Sequence, residues 1–122
     1  MTTGVNPGAS APGLLLVTGS GRSGTSTVSG ALTRLGFHVP LPEVAAIASI
    51  PRGFYEPRWV VEFHKVALKN AGIRDLDARP EARAKAAEVS SRPEVREEVR
   101  TWLEPELARR AIIKDPRTVW FT

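Results

Sequence analysis

The stretch that most constrains this chain is LLLVT, residues 14 to 18, running directly into GSGRSGTS, residues 19 to 26. A short continuous apolar run bounded by glycine reads as a buried strand. Thr25 to Leu35 then has helical spacing, with Val28, Leu32 and Leu35 on one face and Gly36 as the C-terminal stop. A strand that turns through glycines into a helix aims several backbone N–H groups at one point. The helix N-terminus adds about half a positive charge there. Such a turn is built to hold a phosphate-like anion. A glycine turn that merely packs a helix on a strand would not need this set of residues.

The usual nucleotide-triphosphate loop, G-x-x-x-x-G-K-[ST], places a lysine after its last glycine and a metal-binding hydroxyl after the lysine. Here Thr25 stands in the lysine position. The cation has moved to Arg22, the only full positive charge in the loop. The expected cradle is Gly21, Arg22, Ser23, Gly24, Thr25 and Ser26, with the two last hydroxyls and the main-chain amides as donors.

The rest of the chain reads as α/β. Phe37 to Val39 is a possible second strand. Pro40 to Pro57 holds four prolines and reads as loop, with one helical turn near Val44 to Ala48. Arg58 to Ala71 is helical, with Trp59, Phe63, Val66 and Ala67 as a stripe and Gly72 as its end. Arg74 to Arg79 is loop. Pro80 to Val89 and Pro93 to Arg109 are helices opened by proline. In the second, Val95, Val99, Trp102, Leu103 and Leu107 share a face, and Pro105 is placed to kink or restart it. Ala111 to Lys114 is a buried strand, and Asp115-Pro116 reads as an N-cap followed by a first-turn proline.

Over 122 residues, 42% hydrophobic and 25% charged content describe an ordinary globular chain. Residues 1 to 12 are small and polar and read as a disordered leader ahead of a single domain over 13–122. With two or three strands the sheet is expected to be incomplete, as in a fragment or a shortened copy of a larger domain. Without cysteine there is neither a disulfide framework nor a thiolate metal site. No apolar run is long enough for a membrane span or a signal segment, so a cytoplasmic setting is expected. The +4 net charge suits an anionic ligand. The charges alternate, as in EARAKAAE, which argues against a nucleic-acid binder.

Arg22-Ser23-Gly24-Thr25-Ser26 resembles the 5′-phosphosulfate loop of sulfotransferases, where a Lys or Arg precedes Ser-Gly-Thr-Thr/Ser. TGSGRSGTSTVSGALTRLGFHVP, PRGFYEPRWVVEFHK and IIKDPRTVWF together resemble the N-terminal part of a bacterial, largely actinobacterial, sulfotransferase family. The resemblance implies a P-loop NTPase-like three-layer α/β fold with a short parallel sheet. It also implies 3′-phosphoadenosine 5′-phosphosulfate (PAPS) as cofactor, with no metal at the loop, and an acceptor hydroxyl or amine on a small molecule, carbohydrate or lipid. Family members carry a later Arg and Ser for the cofactor's 3′-phosphate. No second strand–Arg–helix–Ser unit is seen here, so weak cofactor binding is expected.

On that reading Arg22 is the catalytic cation. Glu56 is a base or acceptor-binding group, against its reading as an acid at the start of the following helix. Lys114 and Arg117 bind the sulfonate or acceptor, against a capped helix start with both charges in solvent. Tyr55 and Arg52 are further acceptor contacts, Arg52 for an acidic acceptor. His64 and His38 read as packing or surface histidines before catalytic ones. Trp59, Trp102 and Trp120 read as core or interface anchors. Two other classes stay open: a P-loop nucleotide or small-molecule kinase, and a non-catalytic nucleotide- or anion-binding module. Exposed apolar helix faces make self-association an expectation.

Overall fold

The computed structural model describes residues 13–20 and 22–121. The leader read over residues 1 to 12 and Gly21 lie outside them. Two apolar runs form a parallel pair, β1 (Leu14–Val17) and β2 (Ala111–Lys114), in register from Leu14 opposite Ala111 to Val17 opposite Lys114. Every residue of β2 is buried. On its other edge β2 takes a single parallel bridge from His38. Ile112 N donates to His38 O (2.8 Å) and His38 N donates to Arg110 O (3.1 Å). β2 is therefore central, between β1 and residue 38. The strand expected over Phe37 to Val39 shrinks to this bridge. It is boxed in by Gly36, at φ 93°, and by Pro40, which has no N–H to give.

The parallel arrangement requires crossovers. They are supplied by α1 (Thr25–Arg34), α2 (Arg58–Ala71), α3 (Ala82–Ser90) and α4 (Pro93–Leu107). Among the described residues the architecture is α/β, with four α-helices and a short parallel sheet. None of these helices is long and apolar enough to cross a membrane. Gly72, at φ 71°, closes α2, and its N–H reaches the Leu68 and Lys69 carbonyls. Pro93 opens α4, and Pro105 sits inside it without ending it.

Three local expectations change. α1 does not bury the row Val28, Leu32, Leu35. It buries Thr25 and Ser29, leaving Val28 and Leu35 more than half exposed. The inner face of this helix therefore carries small side chains. α2 is likewise rotated from its expected stripe. Val60, Val61, His64, Ala67 and Leu68 are buried, whereas Val66 is exposed. The rotation follows from packing on α3, where Leu68, Ile73, Ala82 and Ala86 make one core cluster. Trp59 and Phe63 sit at the margin, and Trp59 stacks on Trp102 of α4 at 4.6 Å. Finally, Val44 to Ala48 forms no helical turn. Val44 N donates to Glu56 O and Arg58 N to Pro42 O, both at 2.9 Å. The 42–58 loop is thus folded back on itself, which fixes Glu56 from both sides.

Candidate functional site

β1 ends at Val17 and the chain enters the glycine turn. Gly19 has φ 151°, and a Cβ there would meet Ser23 Oγ and Thr25 Cγ2 at 3.0 Å each, so only glycine fits. Ser23 Oγ donates to Ser20 O at 2.6 Å, tying the loop across itself. Arg22 (φ 63°) and Gly24 (φ 94°) both adopt the left-handed conformation. For arginine that costs about 1–2 kcal/mol, a strain of the kind loops retain at binding sites. α1 starts at Thr25 with no side-chain cap. The first amides of a helix have no intrahelical acceptor, so an uncapped start presents them as donors.

These residues form one wall of a cleft of about 410 Å³, to which Arg22, Gly24, Thr25 and Ser26 all contribute. Glu56, Lys114 and Arg117 complete the wall, so three cations and one carboxylate face the space. Lys114, the last residue of β2, is 3% exposed. Its Nζ donates to Glu56 Oε1 (2.8 Å), Phe54 O (3.0 Å) and Ser26 Oγ (3.1 Å). The ammonium's three protons are thereby matched. Tyr55, between those two loop partners, has φ 56°. Its ring rests over Gly30 of α1, where a Cβ would meet the ring at 3.2 Å. The missing side chain in α1 thus seats the loop that delivers Glu56.

The segment after β2 is braced separately. Asp115 is fully buried and caps the 3-10 helix Pro116–Trp120 by accepting from Arg117 N. The same carboxylate accepts from His64 Nδ1 (2.8 Å) and Arg117 Nη1 (3.0 Å). Arg117 Nη2 reaches Asp75 at 2.9 Å. Burial alone would raise the Asp115 pKa. The hydrogen bond and charge of His64, with Arg117, outweigh it and hold the carboxyl below its ordinary value. Burial opposes the charge on Arg117 too, and Asp115 and Asp75 overcome it.

The fold therefore brings Arg22, Gly24, Thr25, Ser26, Glu56, Lys114 and Arg117 together. Ser23 braces the loop and does not line the cleft. Tyr55 turns to α1 instead, and Arg52 is exposed and off the cleft wall. Glu56 is not an acid on α2, because Pro57 occupies the cap position and Glu56 is committed to Lys114. Lys114 and Arg117 are not solvated charges. His38 lies at the opposite end of β2, where it donates to Arg109 O and pairs with Glu106. His64, buried against Asp115 and stacked on Phe121, is structural in its surroundings. Sequence reasoning missed the link from Lys114 to Ser26 and the chain from His64 through Asp115 and Arg117 to Asp75. Lys-Asp at the end of a buried strand was the available signal, since open α/β sheets place ligand contacts there. Among the described residues no group of three His, Asp or Glu is arranged to hold a metal ion.

No family model matches the chain, and no curated protein or solved structure matches it.

Proposed function

We propose that this chain is a PAPS-dependent sulfotransferase domain of P-loop type, with the 410 Å³ cleft as its anion cradle. The observation that carries the reading is the position of Lys114. Ser26 occupies the place in the loop where a nucleotide-triphosphate enzyme puts its Mg²⁺-binding hydroxyl. Here an ammonium group hydrogen-bonds that hydroxyl from 3.1 Å. A fixed organic cation at that point suits a ligand held without metal.

The residues fit the 5′ end of such a cofactor. The α1 amides and the Thr25 and Ser26 hydroxyls hold the phosphate, and Arg22 faces the charge that grows on its leaving oxygen. Bound PAPS supplies the activated sulfuryl group. Lys114 positions Ser26 and Glu56. Glu56, held by Lys114 through one carboxylate oxygen, takes the acceptor's proton on the other. A cytoplasmic setting is part of this reading. Carbohydrate, lipid and small-molecule acceptors all satisfy this chemistry.

Calorimetric titration with adenosine 3′,5′-bisphosphate tests the proposal, on the chain and on Arg22→Ala. Binding is expected to be weak, since no partner for the 3′-phosphate is identified, and at least tenfold weaker in the variant. Equal affinity in the two proteins overturns the reading. Binding of ATP with Mg²⁺ and none of the bisphosphate assigns the cleft to a kinase. Binding with no transfer to any acceptor leaves an anion-binding module.

A further inference from the structure

Beside the anion cleft lies a second, more open one of about 980 Å³, and Arg22 and Arg117 border both. Its walls come from the residues that follow β1 (Thr18 to Ser20) and β2 (Pro116, Arg117, Val119 and Trp120), at the carboxyl ends of the strands. The third wall is the loop Asp75 to Ala78. Leu76, at the tip of that loop, is 91% exposed, and Val119 is 50% exposed beside it in the same cleft.

An exposed leucine alone signifies little. This one is held out by a loop braced on every side. Asp77, with its carboxylate fully buried, accepts from Arg74 N, Arg79 N and the Arg79 guanidinium at 2.6–3.2 Å. Arg79 also donates to Gly72 O, Trp120 Nε1 donates to Asp75 O, and Arg117 pairs with the Asp75 carboxylate. The chain's conformational entropy is thus already spent on presenting an apolar tip to water, which is how a preorganised contact lowers the cost of binding. The loop's two carboxylates are each paired, Asp77 with Arg79 and Asp75 with Arg117, which Asp115 shares. Among the described groups of this cleft, Arg22 is the cation without a carboxylate partner, and it sits where the two clefts meet.

We propose that this cleft takes the acceptor, and that the acceptor is an alcohol or phenol with an apolar body, its hydroxyl directed past Arg22 into the anion cleft that Glu56 lines and the body against Leu76, Val119 and Trp120. The inference rests on the sulfotransferase reading and narrows its acceptor class away from bare carbohydrate.

The test uses product-like probes, 2-naphthyl sulfate, glucose 6-sulfate and inorganic sulfate, titrated calorimetrically into the chain, Leu76→Ser and, as a control in the separate apolar cleft beside α4, Leu103→Ser. 2-Naphthyl sulfate should bind at least tenfold tighter than the other two. Leu76→Ser should remove most of that preference, and Leu103→Ser should retain it. Thermal melts check that both variants fold, and an exposed site such as Leu76 should tolerate serine. Equal binding of the naphthyl and glucose esters, a preference untouched by Leu76→Ser, or no binding of any probe overturns the inference. So does a Leu76→Ser effect on adenosine 3′,5′-bisphosphate instead, which would give the cleft to the nucleoside. Failure of the bisphosphate to bind the unsubstituted chain is a separate result, and it strikes the sulfotransferase reading itself.

Discussion

The Lys114 ammonium donates to the Ser26 hydroxyl at 3.1 Å, joining the end of β2 to the first turn of α1 across 88 positions of sequence. Glu56 accepts from the same nitrogen at 2.8 Å, and both charged groups are buried. A buried pair of this kind ties three segments into one site. Its net contribution to stability is small, because desolvation offsets the attraction, but losing one partner leaves the other charge stranded.

Lys114→Met should therefore destabilise the fold by about 3–5 kcal/mol. Adding Glu56→Gln to that variant should restore a large part of the loss, because the stranded carboxylate is gone. Urea denaturation of both singles and the double gives the coupling directly. Strict additivity would show that the two side chains do not share a buried environment.

Since Lys114 stands at the hydroxyl that metal-dependent loops use for Mg²⁺, binding of adenosine 3′,5′-bisphosphate should not depend on a divalent ion. Titrations in EDTA and in Mg²⁺ should agree within about twofold, less than the tenfold that 1.4 kcal/mol represents. A large gain with Mg²⁺ would contradict the cation's assignment.

Asp77 is held well below its ordinary value of 3.8, chiefly by its hydrogen bond from Arg79, and Asp115 is lowered also. A carboxyl whose pKa is depressed on folding stabilises the native state above its unfolded value. That contribution disappears as pH falls through the folded value. The melting temperature should hold from neutrality to about pH 4 and drop below it, the unfolded reference being near 3.9. Asp77→Asn should melt lower at pH 7 and lose less on acidification. Parallel curves for the two proteins would remove Asp77 from the explanation.

Ser29 is fully buried in α1, and its Oγ has no partner among the described residues. A buried hydroxyl left unpaired costs about 1–3 kcal/mol. Ser29→Ala removes it and gains helix propensity, so the variant should be more stable than the parent by about 1 kcal/mol in urea denaturation. A loss of similar size would mean that Ser29 has a partner, such as bound water.

Much of the fold was legible because its signals are local. The runs at Leu14 and Ala111 are apolar and short, and each became a strand. Gly36 and Gly72 stop helices because their backbones turn left-handed, at φ 93° and 71°, where side chains are rarely tolerated. The glycine turn was legible in the same way: Gly19 and Gly24 take positive φ, and α1 starts directly after it at Thr25.

Other features belong to the tertiary structure. Which side of α1 faces inward was not readable from Val28 and Leu35. The inward face is the one that buries Thr25 and Ser29 and lets the Tyr55 ring lie over Gly30. The meeting of Ser26, Glu56 and Lys114 has no spacing rule, since the three come from different segments, and only the parallel pairing of β1 with β2 and the folded-back 42–58 loop bring them together. Asp115 read locally as a helix cap, which it is. Only the packed chain gives that carboxylate His64 and Arg117 as well, because satisfying a buried charge requires partners that sequence neighbours alone do not provide.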